Sequence, residues 1–301
     1  MSSPLFRWLV AAPLPLSSLL EQQGLTSALG DGRVFVDGKR ASGSLELASD
    51  ALVEVFAPRP RSAIEILSEA DDVFAVHKPA ELPTEADHSG ADCVLSQLAR
   101  QLRVEPEGLF AISRLDVGVS GVLLVTLGAR SRERLLGERA QGRLLRRYVA
   151  LAVGAPAPAE GDWRDALGKT KGSKRAVGGQ DQQPAHTHYR VVATASTALP
   201  GGGPTALLAL SPVTGRTHQL RAHAAAHGAP LLGDRKYGGP PRMTAADGSV
   251  QAFSQILLHA AWVEWGPEKQ RRRITSEPVA ALVDTWLALA GELSALQRAL
   301  D

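Results

Sequence analysis

Apolar residues along this chain change period several times, and each change predicts a different element. Leu16, Leu19 and Leu20 stand at helical spacing. Gly24-Leu25-Thr26-Ser27 breaks that pattern with capping chemistry. Apolar and polar residues alternate in 32–39, which predicts a strand, and Asp37-Gly38 is a hairpin turn signal. Leu45, Leu47, Leu52, Val53 and Val55 predict further short strands. Pro58-Arg59-Pro60-Arg61 reads as a linker. Residues 1–58 are thus expected to form a small module, separate from 62–301.

In the larger part, two apolar runs at 64–67 and 73–77 flank the acidic turn Glu69–Asp72 and predict a hairpin. Helical patterns follow at 92–103, 130–140, 217–227 and 279–299. Apolar runs at 122–127, 148–153, 207–210 and 257–265 predict strands, and 156–159 and 201–204 predict loops. Helices and strands do not alternate regularly. That favours an α+β fold with a mixed or antiparallel sheet over a doubly wound one. There is no internal repeat.

Composition narrows the class. Of 301 residues, 44% are hydrophobic and 21% charged, an ordinary globular balance. Cys93 is the single cysteine, so neither an intrachain disulfide nor a cysteine-rich zinc site can form. A reducing, cytoplasmic setting is expected. Pro13 and Pro15 interrupt the apolar start, and no stretch reaches the length of a membrane span. The net charge is only +2, but 128–175 holds twelve Lys or Arg against five Asp or Glu. Such a zone suits a phosphate backbone, or simply a solvated helix face and loop.

Three segments can carry chemistry. Ser113-Arg114-Leu115-Asp116 sets an acid at the mouth of an apolar strand, facing a pocket or paired with Arg114. Arg146-Arg147-Tyr148 opens another strand. A tyrosine there offers a ring face to a base, or is half-buried packing. In 214–223, a glycine leads into a polar, cationic first helical turn, which is an anion-friendly arrangement or a cap with solvated arginines.

Together these segments resemble the RluA family of pseudouridine synthases. The family's H-R-L-D-x-x-T-S-G-L-L-L motif is similar to Ser-Arg-Leu-Asp-Val-Gly-Val-Ser-Gly-Val-Leu-Leu at 113–124. Its K-x-Y resembles Arg146-Arg147-Tyr148, and its G-R-T-H-Q-L-R-x-H is met throughout 215–223. The hairpin ending in Lys78-Pro79, the segment 185–189, Gly233-Asp234 with Tyr237-Gly238, and Leu258-His259-Ala260 follow in the family's order. Residues 16–57 resemble the S-four-like RNA-binding module. Ser113 and Val119 depart from the family's histidine and threonine.

The resemblance implies an RNA pseudouridine synthase acting on ribosomal or transfer RNA. The departures leave an inactive RNA-binding protein on the same scaffold as the alternative. It implies Asp116, Tyr148 and Arg221 as the catalytic residues: Asp116 as the carboxylate, Arg221 as its partner, and Tyr148 stacked on the uracil and helping to remove the carbon 5 proton, with Arg114 in the space vacated by the target nucleotide. Arg146, Arg147, Arg216, His218, Gln219, Leu220 and Lys78 are the expected RNA or substrate contacts. No cofactor is implied, because the reaction is an internal rearrangement, and no obligatory protein partner is evident. Two other readings fit poorly. Gly161 and Gly168-Lys169-Thr170 are too far apart for a phosphate-binding loop. The pairs His186/His188 and His223/His227 have no acid at ligand spacing, so no metal site is expected.

Overall fold

The computed structural model describes residues 4–30, 33–41, 44–56, 63–86, 92–170, 174–195, 203–244 and 250–301. The expected linker at 58–61 lies outside them. The chain divides into two compact units, 1–64 with 83–106, and 65–82 with 107–301.

In the smaller unit the strands Phe6–Leu9, Leu52–Val55, Val34–Val36 and Lys39–Arg40 lie side by side in that order. Asp37 and Gly38 both take positive φ, the turn their sequence predicts. Leu16, Leu19 and Leu20 of helix Leu16–Gln22 pack on Val34, Val53 and Val55. Helix Val94–Leu102 begins at a capping box between Cys93 and Ser96.

The larger unit is built on a ten-stranded mixed sheet. Its main path runs Glu160–Trp163, Thr187–Thr194, Thr205–Pro212, Leu145–Val153, Leu258–Trp265, Ser120–Leu127, Val73–Lys78, Glu65–Ala70. Every pairing on this path is antiparallel except that of Ser120–Leu127 with Leu258–Trp265. Leu109–Ala111 and Arg272–Thr275 extend the sheet off the path. The central strands are buried on both faces, which explains their uninterrupted apolar runs. Val149, Leu151, Leu207 and Trp262 meet Leu282, Trp286 and Leu296 of two C-terminal helices.

The apolar spacing at 279–299 predicts one helix, but there are two, Ala280–Ala288 and Leu293–Leu300. Ala290 turns to φ 58°, and a Cβ on Gly291 would stand 2.1 Å from the Trp286 ring. The chain must bend there to lay both helices over buried Trp286. The strands Glu160–Trp163, Arg272–Thr275 and Gln180–Gln183 are too polar for their pattern to announce them.

The parallel pairing depends on one glycine. Gly121 has φ +116°, and a Cβ there would lie 2.3 Å from the Ala260 carbonyl oxygen. The strand that follows the Asp116 loop can approach Leu258–Trp265 only without a side chain at this point. Ser120 closes the contact, its Oγ 2.9 Å from Nδ1 of buried His259, whose Nε2 lies 3.0 Å from the Ser276 carbonyl oxygen. Gly121→Ala is expected to destabilise the protein by about 3 kcal/mol or more, through overpacking and a disallowed φ. Chemical denaturation measures this, and a variant within about 0.5 kcal/mol of wild type contradicts it.

Candidate active site

Asp116 sits in the loop between Leu109–Ala111 and Ser120–Leu127, where its own carbonyl accepts from the Val119 N–H at 3.0 Å. Its Oδ2 accepts a 2.7 Å hydrogen bond from Nη1 of Arg221. Arg221 lies on helix Gln219–Ala226 and is 7% exposed. The rest of its guanidinium is engaged by Asp234, with Nε on Oδ2 at 2.7 Å and Nη2 on Oδ1 at 2.8 Å. Asp234 is itself buried. Burial opposes the Arg221 charge, but Asp234 and then Asp116 outweigh it, and the guanidinium pKa is raised. The planar fork is therefore fixed on one edge by Asp234 and presents the other to Asp116. The Asp116 side chain remains 25% exposed, within reach of a ligand.

His218 flanks the same carboxylate, Nε2 lying 4.0 Å from Oδ1 of Asp116. Its Nδ1 is 3.0 Å from the Tyr237 hydroxyl, which also accepts from the Arg175 N–H at 2.9 Å. Burial first, against the charge of Asp116, lowers the His218 pKa. His218 adopts φ 56°, and the regular helix begins after it at Gln219. The expected polar first turn is thus a loop in its first residues, folded by Gln219. The Gln219 Oε1 accepts from the Thr214 hydroxyl and the Arg216 N–H at 2.7 and 2.9 Å. Its Nε2 donates to the His186 carbonyl and the Thr187 hydroxyl, both at 2.9 Å.

Tyr148 enters from Leu145–Val153, where the register against Leu258–Trp265 shifts between Arg147 and Tyr148. Such a bulge re-aims side chains. Tyr148 lines a small cavity with Ser113, Arg146, Ile112 and Trp262. Burial raises its phenol pKa, opposed by Arg146, with the Asp116 charge adding to the rise. At neutral pH its hydroxyl keeps its proton.

A buried arginine is thus forked between two acids, one of them accessible, near a buried tyrosine. The RNA pseudouridylate synthase family model matches residues 72–226, more than half of the chain. The chain belongs to this family. The dual-specificity RNA pseudouridine synthase RluA of Escherichia coli (strain K12) is 32% identical over 219 residues, spanning 69% of this chain and 89% of that protein. Ribosomal large subunit pseudouridine synthase C of Rickettsia prowazekii is 31% identical over 176 residues, 58% of this chain and 56% of that protein. Human RNA pseudouridylate synthase domain containing 1 shares the fold, with TM-score 0.59 and 23% identity over 81% of this chain and 97% of that one. Human domain containing 4 gives 0.57 and 21% over 76% and 94%.

Among the residues expected at the site, Asp116 stands beside Arg221 and His218, and Tyr148 feels the charges of Arg146 and Asp116. Arg114 and Arg216 are exposed, and Leu220 is buried. Gln219 is buried with both ends of its amide bonded, as loop support. Arg147 turns to another groove, lined also by Glu160, Arg190 and Asp301. Lys78 is fully buried. Its Nζ donates to the carbonyls of Val119, Pro79 and Val117 at 2.7, 2.9 and 3.4 Å. It braces the end of the Asp116 loop and has no surface for RNA. Val119 is also buried, so its departure from the family's threonine is absorbed in packing.

Asp234 was legible as part of a matched segment, but nothing in its spacing gave it a role. The histidine pairs also resolve. His223 Nδ1 lies 3.0 Å from the Thr187 hydroxyl and Nε2 3.0 Å from the Asp165 carbonyl, and His227 meets the Asp165 carboxylate at 2.7 Å. The expectation that no acid stands near His186 and His188 is corrected: Asp162 reaches both from the neighbouring strand, paired in register with His188. These three side chains are the metal-competent grouping among the described residues.

Burial lowers the Lys78 pKa to about 7, against the pull of Asp116. The unfolded chain therefore binds the extra proton from about pH 7 up to the ordinary lysine value, and stability gains from rising pH across that window. Wild type should gain unfolding free energy relative to Lys78→Met between about pH 7 and pH 10. Parallel pH profiles of the two proteins would contradict this.

Proposed function

We propose that Asp116 is the carboxylate that acts on the target uridine, that Arg221 positions it, and that Tyr148 stacks on the base. The observation that carries this reading is the Arg221 fork, which ties an accessible carboxylate to a buried one through three hydrogen bonds of 2.7 to 2.8 Å. In the reaction the bond from uracil nitrogen 1 to the ribose breaks, and the base turns. Carbon 5 joins the sugar carbon and loses its proton, while nitrogen 1 ends with one. Composition is unchanged. A carboxylate beside the sugar can attack or take a proton, and its rigid placement shortens the search for the reactive geometry. The protonated Tyr148 phenol suits stacking better than proton abstraction.

The substrate is structured RNA, ribosomal or transfer. This accords with relatives named for dual specificity and for the large ribosomal subunit. The target base must leave its stack, at a cost of a few kcal/mol. Arg114 enters the vacated space, and Arg146 and Arg216 hold backbone phosphates. The small unit with the strands Phe6–Leu9 and Leu52–Val55 acts as an S-four-like RNA-binding module, and the protein works in the cytoplasm. No described helix is long and apolar enough to cross a membrane.

Asp116→Asn is expected to make no pseudouridine in unmodified ribosomal or transfer RNA while its Kd stays within about threefold of wild type, a difference under 1 kcal/mol. Retained turnover removes Asp116 from the role. Asp234→Asn weakens the inner half of the fork, so kcat should fall by about 10- to 100-fold with KM nearly unchanged. A loss confined to KM would place Asp234 in binding instead.

A further inference from the structure

We propose that Arg139, Arg146 and Arg216 form a single phosphate-binding site that grips one phosphodiester of the RNA beside the target nucleotide. This deepens the RNA-modifying reading above and rests on it. Arg139 was not distinguishable in sequence from the other arginines of helix Ala129–Ala140. In the structure its Nη1 donates to the Ile112 carbonyl at 3.1 Å, at the start of the Asp116 loop. Its other terminal nitrogen lies over Gly215. A Cβ built on Gly215 would stand 2.5 Å from Nη2 of Arg139 and 3.7 Å from Nη1 of Arg146. The missing side chain is therefore the space in which two guanidinium groups meet.

Arg146 is held in that position by the carbonyls of Thr214 and Pro212, at 3.1 and 3.3 Å from Nη2. Its buried Nε has no hydrogen-bond partner among the described residues. Arg216 is fixed by the Pro184 carbonyl, 2.9 Å from Nε. Among the described residues no carboxylate pairs with any of the three. The neighbours acting on the half-buried Arg139 tell the same story. Burial is the largest influence lowering its pKa, followed by the charges of Arg146 and then Arg216. Three cations gathered without an acid repel one another, and a fold that spends carbonyls to hold them there leaves the balancing charge to a ligand. That ligand carries multiple oxygen acceptors, which suits the guanidinium fork.

The location selects the source of the phosphate. Arg146 lines the same cavity as Tyr148 and Ser113, and Arg139 is tied to the loop that carries Asp116. A phosphodiester bound here is held against the same walls as the base, so its grip sets how far the flipped nucleotide enters. Free inorganic phosphate has the same oxygen chemistry, and the experiment separates the two.

The test measures binding of a hairpin RNA with a uridine-containing loop to the full-length Asp116→Asn protein, as a function of salt. Each phosphate contact contributes a slope of about one in log Kd against log salt. Arg139→Gln and Arg216→Gln should each weaken binding about tenfold near 0.15 M salt and reduce the slope by no more than about one. The double variant should lose little more slope than either single one, because one phosphate is shared. Gly215→Ala, which leaves every charge in place but displaces Arg139, should reproduce the loss. Slopes and affinities within twofold of the parent overturn the proposal, and additive slope losses overturn the single shared site. A site for a free anion only would show as inorganic phosphate raising the Tm in an Arg139-dependent way while RNA slopes stay unchanged. Turnover by the wild-type chain is read separately. A protein that binds through this cluster yet makes no pseudouridine refutes the catalytic reading and leaves the phosphate site standing.

Discussion

A guanidinium as buried as Arg221 has to be neutralised inside the protein, and the way it is neutralised organises the site. Removing one partner of a buried ion pair typically costs about 3–5 kcal/mol, because the other charge is left stranded. Here the buried carboxylate, Asp234, takes two of the three bonds, and the accessible one, Asp116, takes the third. The arrangement is asymmetric in a useful way. The inner pair can satisfy the arginine well enough to keep it in place, while the outer carboxylate stays reachable. Two chain segments far apart in sequence, the loop after Leu109–Ala111 and the helix Gln219–Ala226, are thereby held at fixed separation by groups that tolerate little displacement.

The surrounding fold serves that separation. Gly121 allows the strand following Asp116 to close against Leu258–Trp265, and Lys78 caps carbonyls at 117 and 119 so that the loop cannot drift. Gln219 performs the matching task on the helix side, using both ends of its amide to fold residues 214–218. The bulge at Arg147 and Tyr148 then turns a tyrosine toward the same place from a third strand. Arg139 reaches from its helix to the Ile112 carbonyl at the start of the Asp116 loop and lies against Gly215.

Much of this was legible in sequence wherever function and hydrophobic pattern coincide. The central strands read as apolar runs because both faces are buried, and Asp116, Tyr148 and Arg221 stood in ordered motifs. What stayed hidden has physical reasons. Lys78 looks like any surface cation in sequence, and only its burial under three carbonyls shows that it braces a loop. Gln219 sits in a polar run suited to ligand binding, yet its partners are the protein's own backbone and hydroxyls. Asp162 meets His186 and His188 across a sheet, which spacing along one chain cannot reveal. The polar strand Gln180–Gln183 forms through backbone pairing alone, and the break at Ala290 and Gly291 answers to the Trp286 ring rather than to the local apolar period.

In the proposed function Asp116, held by Arg221, carries pseudouridine formation in cellular RNA. Mapping pseudouridines across total RNA from cells lacking this protein, then restoring either wild type or Asp116→Asn, tests it most directly. One or a few sites in ribosomal or transfer RNA should vanish in the deleted cells, return with wild type and stay absent with the variant. An unchanged map in the deleted cells, with wild type shown to be expressed in the parent, would contradict it, as would full restoration by Asp116→Asn.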